Sequence, residues 1–151
     1  MSYQIITDSC CDFTAEQYLQ MNVVSVPLAV MWNGESHSHF SDEATLRNFY
    51  QQMRSGLVST TSALNPADWI GAMESFLQKG RDLLVLTVSS GISGTHQSAV
   101  IAADDLRAQY PGCRILVVDS LGGSLGEGLL LWHACRPRGP GIVPPGYPSI
   151  K

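Results

Sequence analysis

The residues best suited to chemistry in this chain are small, uncharged and clustered. Ser89-Ser90-Gly91-Ile92-Ser93-Gly94-Thr95 brings hydroxyl groups and glycines together in one short run. Glycine lets the backbone approach a ligand closely, and hydroxyls donate hydrogen bonds without a charge. A helix starting at the end of the run would add free N–H groups and a partial positive charge. The combination suits a small anion such as a carboxylate or a phosphate. A helix cap with a tight turn selects the same residues, so this loop alone leaves both roles open. Three further segments have a related make-up: Thr7-Asp8-Ser9, Ser59-Thr60-Thr61-Ser62, and Asp119-Ser120 followed by Gly122-Gly123-Ser124. If they meet at one rim, a binding site is favoured over four separate turns.

Other chemistry is weaker. Gly91-Ile92-Ser93-Gly94-Thr95 nearly matches the nucleophile elbow of serine hydrolases, but Thr95 stands where the final glycine belongs. His96 and His133 are candidate bases, and neither has a partner acid in the expected order. His37 and His39 would share one side of a strand, and two histidines without a third ligand read as a solvated edge. Asp8, Asp12 and Asp119 could gather around magnesium, but accepting loop N–H groups is the plainer role for Asp8 and Asp119. A phosphate loop ending in Gly-Lys-Ser/Thr and a G-x-G-x-x-G turn are both missing, so neither standard mode of nucleotide binding is expected. No metal and no cofactor are expected.

The elements that must position these loops alternate between strand and helix. Tyr3–Thr7, Leu83–Thr87 and Arg114–Val118 are short apolar runs that read as buried strands. Val23–Met31 is rich in valine and reads as one more strand. Asn33-Gly34 is a two-residue turn signal from which His37–Phe40 would return antiparallel. Helices are expected over Ala15–Met21, from Ser41 to Gly56, from Pro66, over Gly94–Gln109 and over Ser124–Ala134. The fold class is therefore α/β, with a mainly parallel sheet covered by helices on both faces. Ligands of such sheets sit beyond the carboxyl ends of the strands, where the hydroxyl-rich loops fall.

Composition narrows the partners. The 151 residues are 44% hydrophobic and only 15% charged, with a net charge of −4. A chain so poor in charge hides much of its surface or binds something apolar. No basic stripe is present to release phosphate counterions, which argues against nucleic acid. No apolar run has the length of a membrane span, and no signal peptide is read at the N-terminus. Cys10, Cys11, Cys113 and Cys135 form neither a disulfide framework nor a zinc site, so a reducing, cytoplasmic setting is expected. Residues 1–134 read as the folded domain. Residues 135–151 hold five of the eight prolines and all positive charge in that stretch is uncompensated, so an irregular tail is expected.

Four segments together resemble the DegV family of fatty-acid-binding proteins. They are Asp8-Ser9-Cys10-Cys11-Asp12, Thr61-Ser62 with Pro66, the run Ser89 to Ala99, and Asp119-Ser120 with Ser124, Gly126 and Gly128. The third is the most specific, matching S-S-x-x-S-G-T-x-Q-S-A in fixed order. The resemblance covers about residues 3–134. It implies one long-chain fatty acid held in an apolar tunnel. It also implies presentation of the carboxylate to a separate, ATP-using catalytic subunit of fatty-acid kinase, with no phosphoryl transfer by the binding subunit itself. By motif match, Thr61, Ser62, Ser93, Gly94 and Thr95 would contact the carboxylate, and Asp8, Ser9, Asp119, Ser120 and Ser124 would shape the loops.

Family members run to roughly twice this length, with a second α/β domain as the other wall of the tunnel. The shift in composition after Ala134 is expected to mark a frameshift or an artificial end, which sequencing the source DNA past that codon would test. A C16 chain gains on the order of 10 kcal/mol when fully enclosed, and a half-open groove about half of that. The expectation for this chain is weak or absent fatty-acid binding, with self-association through the exposed apolar patch. The alternatives are a serine or metal-dependent hydrolase of a small ester or phosphoester, and a truncated domain without activity.

Overall fold

The computed structural model describes residues 3–37 and 43–136. It divides the chain into two units, residues 1–26 with 64–151 and residues 27–63.

The larger unit is built on a four-stranded parallel sheet. Its strands are β1 (Tyr3–Asp8), β2 (Val23–Val26), β6 (Asp82–Thr87) and β7 (Ile115–Asp119), in the order β2-β1-β6-β7. Register pairs Ile5 with Val23 and Leu84, and Thr87 with Asp119. The inner strands β1 and β6 are apolar on both sides, as a sheet covered on two faces requires. On one face Ile5, Val23 and Leu86 pack with Tyr18 and Met21 from α1 (Ala15–Gln20) and its end. Leu131, Trp132 and Cys135 of α5 (Leu125–Cys135) complete that layer. Against the sheet there also pack α3 (Pro66–Leu77) and α4 (Thr95–Gln109), which touch each other as well. They bury Trp69, Met73 and Leu77, and Ala99, Ala102, Ala103 and Leu106. The alanines let α4 lie close to its neighbours. Each fully buried side chain of the size of Ile6 or Leu106 stabilises by about 1.5–3 kcal/mol.

Local chemistry sets the helix starts. Thr14 and Gln17 form a reciprocal capping box at α1, and Asn65 and Asp68 form another at α3, where Pro66 takes the first helical position. The helix expected over Gly94–Gln109 begins at Thr95, with Gly94 as its cap. That expected over Ser124–Ala134 begins at Leu125 and runs to Cys135.

The smaller unit holds an antiparallel sheet of β3 (Ala29–Trp32), β4 (Glu35–His37) and β5 (Thr60–Ser62), in the order β4-β3-β5, and the helix α2 (Glu43–Arg54). Asn33 and Gly34 turn at φ 51° and 77°, the paired positive values of a type I′ hairpin. Trp32 stacks edge-on to Phe49, and its indole N–H donates to Gln52 Oε1 at 3.1 Å. Of α2 only Phe49 is buried, with Tyr50 and Met53 exposed.

Two sequence expectations are corrected. Val23–Met31 is not one strand: Pro27 removes a ladder donor, so the chain leaves the parallel sheet after Val26 and enters the antiparallel one at Ala29. Thr60–Ser62 is not a loop but a strand, with Thr61 opposite Val30. The returning strand begins at Glu35, and the part of His37–Phe40 from residue 38 on, His39 included, lies outside the described residues. None of the four cysteines is in a disulfide. Among the described residues no helix is long and apolar enough to cross a membrane.

Candidate functional site

Strand order places the site. The chain leaves β1 toward β2 and leaves β6 toward β7, in opposite directions along the sheet. The carboxyl ends of β1 and β6 therefore flank a topological switch point, the position where open α/β sheets bind ligands. Asp8 ties these two ends together. Its Oδ2 accepts from Val88 N at 2.7 Å and its Oδ1 from Cys10 N at 2.9 Å. Asp8 is wholly buried, and burial pushes its carboxyl above the ordinary range against the lowering effect of these N–H groups. Ser9 opens the 3₁₀ turn Ser9–Cys11 that follows.

The loop after β6 folds on itself and delivers a helix end. Ser89 O accepts from Ile92 N and Ser93 N, and Ser89 Oγ accepts from Gly91 N. Ser93 Oγ accepts from Thr95 N at 3.2 Å and donates to Thr95 Oγ1 at 2.9 Å. Thr95 is fully buried. Its Oγ1 also accepts from Leu64 N, and its carbonyl accepts from the Trp69 indole at 3.3 Å. The helix ladder starts with Ser98 N to Gly94 O, so the amides of His96 and Gln97 precede it. Gly94 lies exposed at the helix start, where no side chain caps it. Exposed Gly94 and the first-turn amides thus form an uncharged patch of donors at the positive end of a 15-residue helix, beside half-buried Ser93, whose hydroxyl hydrogen is taken by Thr95 Oγ1.

The loop after β7 braces this turn. Asp119 Oδ1 accepts from Ser90 N at 3.1 Å and Leu121 N at 3.0 Å. The Ser90 hydroxyl and these N–H groups hold its carboxyl below the ordinary range. Ser120 Oγ accepts from Gly122 N and donates to Gly122 O, while Gly122 O also accepts from Ser89 N at 2.8 Å. Leu121 and Ser124 take φ of 53° and 54°, which costs non-glycine residues on the order of 1 kcal/mol each. Strain kept in place by so many hydrogen bonds is characteristic of functional loops.

The structure brings Asp8, Ser93, Gly94, Thr95, Asp119, Ser120 and Ser124 into the larger unit, on loops linked by these bonds. Thr61 and Ser62 belong to the smaller unit, exposed on β5. His96 Nδ1 pairs with Thr87 Oγ1 at 2.9 Å, and among the described residues Ser93 Oγ hydrogen-bonds only Thr95. A serine nucleophile would need a base on its hydroxyl, and Ser93 has none. His37 lies beside the Trp32 ring in the smaller unit, 3.8 Å from Glu35. Among the described residues no three His, Cys, Asp or Glu side chains are grouped to hold a metal ion.

Sequence reasoning missed Glu127. It lies in the first turn of α5, fully buried, and Thr7 Oγ1 donates to its Oε1 at 3.2 Å. Burial, and then the charge of Asp8, push its carboxyl up to about 8. The available signal is Gly128 next to the acid, a glycine at a close approach, whereas Gly126 has open space. A Cβ on Gly128 would stand 3.0 Å from Cys11 O.

Comparison with known proteins gives consistent relatives. Residues 2–142 match the model of a family described as uncharacterised proteins of the DegV family, a match that runs eight residues past Ala134. A DegV domain-containing protein of Clostridium perfringens is 31% identical over 135 residues, which are 89% of this chain and 46% of the relative. The crystal structure of a stearic-acid-binding protein from Eubacterium ventriosum superposes with a TM-score of 0.78 at 28% identity, over 89% of this chain and 47% of that one. A fatty-acid-binding DegV family protein from Thermus thermophilus gives 0.78 at 30% identity, over 90% and 47%. The chain spans about half the length of the relatives it matches.

Proposed function

We propose, given that this chain belongs to the DegV family, that it binds the carboxylate end of a long-chain fatty acid. The observation that carries the reading is the uncharged donor patch at Ser93, Gly94 and the first turn of α4. Thr95, fully buried, holds that patch in shape. A carboxylate gains more from N–H and O–H donors than a neutral group does. Neutral donors also leave its oxygen nucleophilic, where a buried arginine or lysine would tie it up. The fatty-acid binding described for the E. ventriosum and T. thermophilus proteins supports this choice of ligand.

The finer reading is presentation of the carboxylate to the catalytic subunit of a fatty-acid kinase, in the cytoplasm. It is supported by the missing phosphate loop in this chain and by a serine without a base. Residues 1–134 are the binding domain in this reading, and 135–151 lie outside it. Ile92, Leu121 and Leu125, each more than half exposed, supply apolar surface near the rim and a route to self-association.

Titration of the 151-residue chain with carboxyl-labelled oleate tests the reading. Weak, saturable binding is expected, with the Ser93 hydroxyl turning from Thr95 Oγ1 to the carboxylate, so Ser93→Ala should weaken it by roughly tenfold, the loss of one charge-assisted hydrogen bond. Unchanged binding in Ser93→Ala, or turnover of a generic ester that this variant abolishes, would overturn it.

A further inference from the structure

The fatty-acid reading makes no use of the most unusual buried group in the molecule. Glu127 is 0% exposed, its Oε1 accepts from Thr7, the Cys11 thiol lies beside it, and among the described residues its Oε2 has no hydrogen-bond partner. A buried ionised carboxylate needs a cation or several donors, and an oxygen left bare is tolerated only in the neutral acid. We propose that Glu127 is a proton-operated latch: as a neutral acid it holds the first turn of α5 against the end of β1 and the 3₁₀ turn Ser9–Cys11, and on ionising it releases them.

The surroundings leave no other way to accommodate the charge. Thr7 and Asp8 face Glu127 from β1, Cys10 and Cys11 from the 3₁₀ turn, Asp12 from the residue after it, and Tyr18 from α1. None of these groups is a cation. Asp8 is itself fully buried, so ionisation of both would put two like charges near each other out of water. Packing prevents a small adjustment, because Gly128 already lies against Cys11 O and the Phe13 ring. Water reaches Glu127 only if α5 moves away.

The sign follows from linkage. The carboxyl is raised in the docked state from the ordinary 4.5 to about 8. Docking is therefore strongest below the ordinary value, weakens as pH rises between the two, and stays weak above the higher one. Asp8 holds Val88 N and Gly122 O holds Ser89 N, so α5, β1 and the loop after β6 share one frame. The latch thereby bears on the rim, yet it stands whether or not the chain binds lipid.

Hydrogen exchange of the α5 amides in the ligand-free chain, corrected for intrinsic rates, tests it. Opening should grow roughly tenfold per pH unit between about pH 6 and pH 8, and Glu127→Gln should flatten this dependence. Carbon-13 titration of the Glu127 carboxyl in the unaltered chain provides a second readout that needs no variant, with a midpoint expected at about 8. A wild-type slope retained in Glu127→Gln, or a carboxyl midpoint near 4.5, would overturn the latch.

Discussion

The two hydroxyl-rich segments of this chain share residue types and differ in almost everything else. In Ser89–Thr95 the hydroxyls are turned inward. Ser89 and Ser93 cap backbone N–H groups, and Thr95 is fully buried between Leu64 and Ser93. In Thr60–Ser62 the backbone is taken up by pairing with β3, and all three side chains are exposed. One segment uses its hydroxyls to build a fixed donor surface. The other carries its hydroxyls on a strand edge, where they are available and contribute little to the fold. The same letters in a sequence can therefore denote a scaffold or a contact, and only the surroundings decide.

Mutation can sharpen this contrast. The largest effect is expected at Trp69, whose fully buried ring lies under the start of α4 and whose indole bonds Thr95 O. Trp69→Ala should cost about 3–5 kcal/mol in chemical denaturation, with the loop after β6 lost along with its support. Thr95→Val keeps the shape but removes the acceptor for Leu64 N and Ser93 Oγ, and should cost about 1–3 kcal/mol. Thr61→Ala should change stability by less than about 0.5 kcal/mol. A large loss of stability in Thr61→Ala, or none in Thr95→Val, would break the contrast.

Much of the fold was legible because local signals were strong. Tyr3–Thr7 and Leu83–Thr87 are buried on both sides and read as continuous apolar runs. Asn33-Gly34 carries its turn type in its residues, and Thr14 its cap. The family, shown by the match over residues 2–142, was legible from the order of small motifs. What failed depended on distant partners. Thr60–Ser62 has no apolar side to alternate, so nothing local distinguishes a strand from a loop. Val23–Met31 reads as one strand, and Pro27 within it is where the chain changes sheet. Glu127 went unread, because its burial is set by Thr7 and Cys11 more than a hundred residues away.

The measurement that bears most directly on the donor patch is a backbone amide NMR titration of the chain with oleate. The account predicts the largest saturable shifts at Gly94, His96 and Gln97, much reduced in Ser93→Ala. Shifts confined to other parts of the chain, or undiminished in that variant, would contradict it.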